Sequence, residues 1–139
     1  MEKNKLISVE TVVNLDAAKV WNYWTIPDHI VKWNKASEDW HTTQAKSDLR
    51  AGGVFLCRME AKDGSFGFDF GGVYNEITTN KHIAYTIDDG RKVIIDFAEL
   101  HGKTKIVETF EAENINSIEQ QRQGWQSILD NFKKYAENN

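Results

Sequence analysis

The sequence predicts an α+β domain: a curved antiparallel sheet of about seven strands around one long C-terminal helix, with two short helices after the first strand. Three observations lead there. From Ser117 to Glu137, Ile118, Arg122, Trp125, Leu129, Phe132 and Ala136 recur at spacings of three and four, one apolar stripe interrupted by Arg122. From about Trp40 to Glu113 the chain reads instead as short strands punctuated by Asp63-Gly64, Asp89-Gly90 and His101-Gly102. A helix of about 20 residues is roughly 30 Å long, so only a wide, concave sheet can bury its stripe. Such a sheet can leave a cavity between itself and the helix.

Each element has its own signal. Ile7, Val9, Thr11 and Val13 alternate with Ser8, Glu10, Val12 and Asn14, which gives a first strand over about 4–14. Asp16 caps a short helix through Trp24, with Leu15 and Val20 spaced as a hydrophobic staple. Thr25-Ile-Pro27-Asp28 ends that helix and starts another, in which Ile30 and Trp33 face inward. A strand over 40–46 precedes the turn or bulge at Gly52-Gly53. Strands follow over 54–62, 66–78, 82–88, 92–100 and 104–113, and Gly71-Gly72 suggests a bulge where the sheet bends. Ser117-Ile-Glu-Gln120 is a capping-box pattern that opens the last helix. No linker, repeat or low-complexity tract interrupts the order, so residues 1–139 read as one domain.

Composition narrows the function. Apolar residues make up 40% and charged residues 27%, as in ordinary globular domains. A net charge of −4, with no basic run to offset it, argues against nucleic acid or an anionic membrane as partner. Five Trp and seven Phe suit an aromatic-lined pocket as well as a core. The lone cysteine, Cys57, rules out an intrachain disulfide and reads as a small buried hydrophobe. Without a signal-peptide pattern, apolar span or lipidation motif, the expected compartment is the reducing cytoplasm.

The order of these signals resembles the START-like superfamily (SRPBCC, or birch-pollen-allergen-like). Within it the chain is similar to homologues of the C-terminal domain of the heat-shock-protein ATPase activator. The carrying residues are Val20-Trp21, Thr25-x-Pro27 and Trp33, then Asp48-Leu-Arg-Ala-Gly52-Gly53-Val-Phe55, Met59 and Asp63-Gly64. Gly72-Val-Tyr-Asn-Glu-Ile77, Gly102-Lys-Thr104 and Gly124-Trp125 complete the set. Ile26 and Ala51 depart from the family, which often has a small polar residue and Pro there. The resemblance implies a helix-grip fold of seven strands with an internal cavity. It implies little about chemistry, because relatives range from lipid carriers to cyclases.

A search for catalytic constellations finds none. His29, His41, His82 and His101 form no metal-ligand pair, so neither a metal nor a cofactor is expected, although His41 is a candidate polar contact near the cavity mouth. Glycine-rich Asp63–Gly67 reads as a hairpin tip, and Cys57 has no neighbouring base. In the strand over 104–113 two phases compete. The favoured one turns Val107 and Thr109 inward and leaves Glu108 in solvent. The other buries Ile106, Glu108 and Phe110, and makes Glu108 an acid or base in the cavity. Asp96 and Glu99 share this ambiguity. Gly124, inside a helix, opens space or allows a close backbone approach, and added bulk there should be felt.

The leading expectation is a binding module that holds a small apolar, lipid-like or aromatic molecule. Strand phase and family placement suggest Trp33, Trp40, Phe55, Met59, Phe68, Tyr74, Tyr85, Phe97, Trp125 and Leu129 as its contacts. The alternatives are an enzyme of cyclase or hydrolase type working through Glu108, and a chaperone cofactor. The second rests on the resemblance alone and requires an exposed patch that the sequence does not display. The chain is expected to be a monomer or homodimer. Trp21, Trp24, Trp33 and Trp40 are expected to gather at the cavity mouth, some of them meeting Trp125.

Overall fold

Strand β1 (Leu6–Val13) buries Ile7, Val9 and Val13, half-buries Thr11 and exposes Ser8, Glu10 and Val12, the period of a strand with one wet face. The computed structural model describes residues 5–139, so the expected start of this strand at residue 4 lies outside the described residues. Helix α1 (Ala17–Thr25) starts where Asp16 accepts a hydrogen bond from the Lys19 backbone N–H at 2.9 Å. It ends at Ile26, and Pro27 opens α2 (Pro27–Trp33).

Six further strands follow: β2 (Trp40–Ser47), β3 (Val54–Ala61), β4 (Gly67–Thr78), β5 (His82–Ile87), β6 (Lys92–Leu100) and β7 (Lys103–Glu111). They form one antiparallel sheet in the order β1-β7-β6-β5-β4-β3-β2. Hairpins join β2 through β7 in sequence, while α1 and α2 carry the chain from one edge of the sheet to the other. At His101-Gly102 both residues have positive φ, 55° and 78°, the conformation a two-residue hairpin turn needs. Helix α3 (Ile118–Glu137) closes the concave face, and its capping box forms as read: Ser117 Oγ accepts from Gln120 N and Gln120 Oε1 accepts from Ser117 N. The α+β helix-grip architecture therefore stands.

Two local expectations need correction, and one open choice is decided. The bulge in β4 is not at Gly71-Gly72, which pair regularly with Leu56 and Phe55; the register to β5 shifts between Tyr74 and Glu76. Gly72 is needed for another reason: a Cβ there would collide with the Thr86 carbonyl. Along α3 the inward position between Ile118 and Trp125 belongs to buried Gln121, not to Arg122, which is exposed and paired with Glu119 at 2.8 Å. Gln121 is buried because its amide accepts from Glu113 N and donates to the carbonyls of Glu113 and Asn116, tying the helix start to the end of the sheet. Of the two readings of Gly124 the open-space one holds, since a Cβ there meets no atom within 4 Å apart from its own stretch of helix.

The core is dense in rings. Trp24 packs on Trp33 at 4.8 Å between centroids and edge-on to Phe132 at 4.8 Å, and Trp21 stands edge-on to Phe97 at 5.5 Å. The indoles of α1 and α2 thus meet Phe132 and Phe97, whereas Trp125 stacks on Phe110 at 3.8 Å.

The two glycines should respond oppositely to alanine. Gly72→Ala forces a backbone shift and is expected to cost about 1–3 kcal/mol. Gly124→Ala fills open space in a helix and is expected to stabilise by about 1 kcal/mol. Urea unfolding midpoints of the two variants check both signs.

Candidate ligand-binding site

Between the concave face of the sheet and α3 lies a pocket of about 320 Å³. Strand periodicity supplies one wall. Phe55, Cys57 and Met59 come from alternate positions of β3, Phe68, Phe70 and Tyr74 from one face of β4, and Ile83 and Tyr85 from β5. Trp125 and Ile128, one turn apart on α3, supply the facing wall. Ile30, Trp33 and Asn34 close one end, and Phe68, 42% exposed, stands at the surface. Phe55 anchors a ring cluster with centroids 5.1 Å from Tyr74 and 4.8 Å from Tyr85.

Seven of the suggested contacts line this pocket: Trp33, Phe55, Met59, Phe68, Tyr74, Tyr85 and Trp125. Three do not. Trp40 lies against Phe66 and Phe68, with ring centroids 6.1 and 5.8 Å away. Phe97 packs under Trp21 and Trp24, and Leu129 is fully buried in the core. His41 is half-buried and outside the lining. Sequence reasoning did not select Phe70 or Ile128, whose spacing from Phe68 and Trp125 was the available signal. It also missed Arg91, which follows a turn and reads as a surface charge.

The largest correction concerns β7. Ile106 and Phe110 are wholly buried and Glu108, in phase with them, is 5% exposed; Val107 and Thr109 take the other face. Register to β1 sets this phase, because Phe110 stands opposite Ile7, Glu108 opposite Val9 and Ile106 opposite Thr11. Asp96 and Glu99 are exposed instead. Asp96 Oδ1 lies 2.7 Å from His82 Nδ1, and Glu99 accepts from Ala17 N at the start of α1.

Most polar groups around the pocket have partners. The Thr25 hydroxyl donates to the Trp21 carbonyl, the Tyr74 hydroxyl lies 2.8 Å from Ser47 Oγ, and Arg91 donates to Asp89 and to the Glu111 carbonyl. Glu108 and the Tyr85 hydroxyl have no hydrogen-bond partner among the described residues. No buried side-chain polar atom there is both sealed off and unpaired, so these two groups open onto the pocket. Burial pushes the Glu108 carboxyl up to about 8, because an ionised carboxylate is poorly solvated in an apolar wall. Burial, and then the nearby Glu108 charge, push the Tyr85 phenol well above its ordinary value. Burial pushes the Cys57 thiol up to about 11, which makes it a poor nucleophile.

Residues 14–137 match the family model for activator of Hsp90 ATPase homolog 1-like protein. The chain belongs to this family. An AHSA1-like protein from Aeromonas hydrophila, solved in solution, shares 46% identity over 96% of this chain and 93% of its own, with a TM-score of 0.91. A protein from Cytophaga hutchinsonii shares 53% identity over 95% of this chain and 92% of its own, with a TM-score of 0.83. A Chromobacterium violaceum protein, 22% identical over 96% of this chain and 98% of its own, has a TM-score of 0.83 and shows the fold alone. No curated protein matches. The family is compatible with small-ligand binding, and no helix among the described residues is long and apolar enough to cross a membrane.

Glu108 also makes stability depend on pH. Its folded value of about 8 stands above the ordinary 4.5, so between those values the folded chain holds a proton that the unfolded chain releases. Stability is therefore greatest on this account below about pH 4.5 and falls as pH rises towards 8. Glu108→Gln should remove that slope and raise stability in alkaline buffer. Denaturant unfolding of both proteins across this range reads the difference.

Proposed function

We propose that this member of the family is a cytoplasmic binding module that holds a small apolar molecule, aromatic or lipid-like, between the sheet and α3. The observation that carries the reading is the lining of the pocket, in which aromatic and aliphatic side chains from β3, β4, β5, α2 and α3 converge. Its volume of about 320 Å³ suits a molecule of one or two fused rings or a short acyl chain. Native mass spectrometry after gentle purification should show a co-purifying small molecule, released on denaturation. Protein of the bare chain mass, with no affinity for apolar probes, would overturn the reading.

A second reading is that the module is an enzyme with Glu108 as acid or base. The observation in its favour is a buried carboxyl with no hydrogen-bond partner among the described residues, poised near neutral pH at the pocket wall. It requires that Glu108→Gln abolish turnover of an identified substrate while leaving its affinity intact. Retained turnover would remove Glu108 from that role.

Trp125 tests the wall facing the sheet. A bound ring would displace water from this indole, so acetylnaphthalene is expected to quench the intrinsic fluorescence. Trp125→Ala should weaken that binding by more than about 1 kcal/mol. It should also cost less stability than the roughly 3–5 kcal/mol of a fully buried Trp, because Trp125 is only half-buried. Calorimetric titration on variant protein shown to be folded separates the two effects.

A further inference from the structure

We propose that the pocket selects apolar molecules carrying one uncharged oxygen, a carbonyl or a hydroxyl, and that Glu108 and the Tyr85 hydroxyl hydrogen-bond that oxygen. This rests on the pocket being a ligand site. It goes further by assigning the chemical class of the ligand and the residues that read it.

The geometry points to a polar subsite in one place. Glu108 from β7 and Tyr85 from β5 are both more than nine-tenths buried, both line the pocket and neither has a hydrogen-bond partner among the described residues. They lie on strands separated only by β6, and the charge of one is felt at the other. A pure hydrocarbon filling this space would take both groups out of water without replacing their hydrogen bonds, at the full desolvation cost. Glu108 stands across Ile95 from Ile83, one same-face step along β5 from Tyr85, and a ligand oxygen within reach of both would satisfy both.

The sign of the ligand's charge follows from the surroundings. Arg91 lines the same pocket and its charge reaches Tyr85, which disfavours a cationic ligand. An anion is disfavoured too, because the Arg91 charge is already paired with Asp89 at 2.8 Å and the rest of the lining is largely apolar. A neutral ligand with one acceptor oxygen remains. Glu108 held as a carboxylic acid can donate to that oxygen, and the phenol of Tyr85 can do the same.

The groups facing this subsite also fix its pH response. From β5 comes Tyr85, from β4 Tyr74, from β3 Cys57 and from the turn before β6 Arg91. The side chains that α2 and α3 contribute do not titrate. Burial holds both phenols and the thiol above their ordinary values, so they stay neutral through the range in which Glu108 ionises. Ionised Glu108 can no longer donate, and binding of an acceptor oxygen should weaken as pH rises past about 8.

Isothermal titration with acetylnaphthalene, isopropylnaphthalene and aminomethylnaphthalene tests this on the full chain. Wild type should bind the ketone about ten-fold more tightly than the hydrocarbon at about pH 6.5. That preference should shrink several-fold by about pH 9.5 as Glu108 ionises. Glu108→Leu should cut the preference at about pH 6.5 and remove its pH dependence, Tyr85→Phe should reduce it, and Glu108→Gln, which keeps a donor, should preserve it without pH dependence. Equal binding of ketone and hydrocarbon, an unchanged preference in Glu108→Leu, or tighter binding of the amine would overturn the polar subsite while leaving an apolar site standing. Failure of all three probes to bind would overturn the ligand-site reading and this inference with it.

Discussion

The inner face of α3 carries Trp125, Ile128, Leu129, Phe132 and Ala136, and a helix of this length has one place to put them. Isolated, it would be marginal in water, and its stability comes from burying that stripe. The sheet must therefore curve, and seven strands are wide enough to do so. Its middle cannot follow the helix all along. Near Phe132 the space is filled by Trp24 and Trp33 from the short helices. Near Trp125 no such plug exists, because α1 and α2 end at the other side, and a pocket is left there. The cavity is thus a consequence of gripping a long helix with two short helices that plug only one end.

Polar ties hold that grip in register. Gln121 anchors the start of α3 to the chain leaving β7, Gln126 donates to the Glu10 carbonyl, and Asn131 donates to the Lys35 carbonyl beyond α2. His29 Nδ1 lies 2.6 Å from the Tyr135 hydroxyl, and Glu137 accepts from Asn14 N near the helix end. Each is modest alone, about 1 kcal/mol. Spaced along the helix, they prevent α3 from sliding, which apolar contacts alone would permit. A pocket wall that does not slide is a precondition for placing Trp125 and Glu108 in a constant relation.

The fold was legible because its signals are local. Turn dipeptides, a capping box and period-two alternation depend on neighbours within a few residues, and the seven strands and three helices follow from them. The site was legible in part, for the same reason: Phe55, Met59 and Tyr85 follow from strand phase. Trp40, Phe97 and Leu129 were misplaced relative to the pocket because phase tells which face a residue occupies, not how far along the sheet the space opens. Arg91 was invisible because the sequence shows a turn cation, whereas its inward lean depends on Asp89 and on the Glu111 carbonyl at the end of the neighbouring strand β7. Gly124 could be read as opening space or as a close approach, because a helix glycine beside open space carries the same letter as one under a crossing backbone.

Glu108 shows most clearly how tertiary context overrides a local rule. On its own strand the choice of phase set a carboxylate against Val107 and Thr109, and solvent exposure of the carboxylate was the cheaper option. Two facts from outside the strand reverse it. Ile106 and Phe110 lie two residues away on either side and meet the β1 strand at Thr11 and Ile7, where each large side chain, fully buried, contributes about 1.5–3 kcal/mol. Against that, Glu108 need not be buried as an anion. By keeping its proton it avoids most of the charge-burial cost, and facing a pocket instead of packed protein it leaves its hydrogen-bonding capacity unspent. The residue that fits the strand worst is therefore the one whose chemistry is available to a ligand, because the packing of its neighbours, not its own preference, put it there.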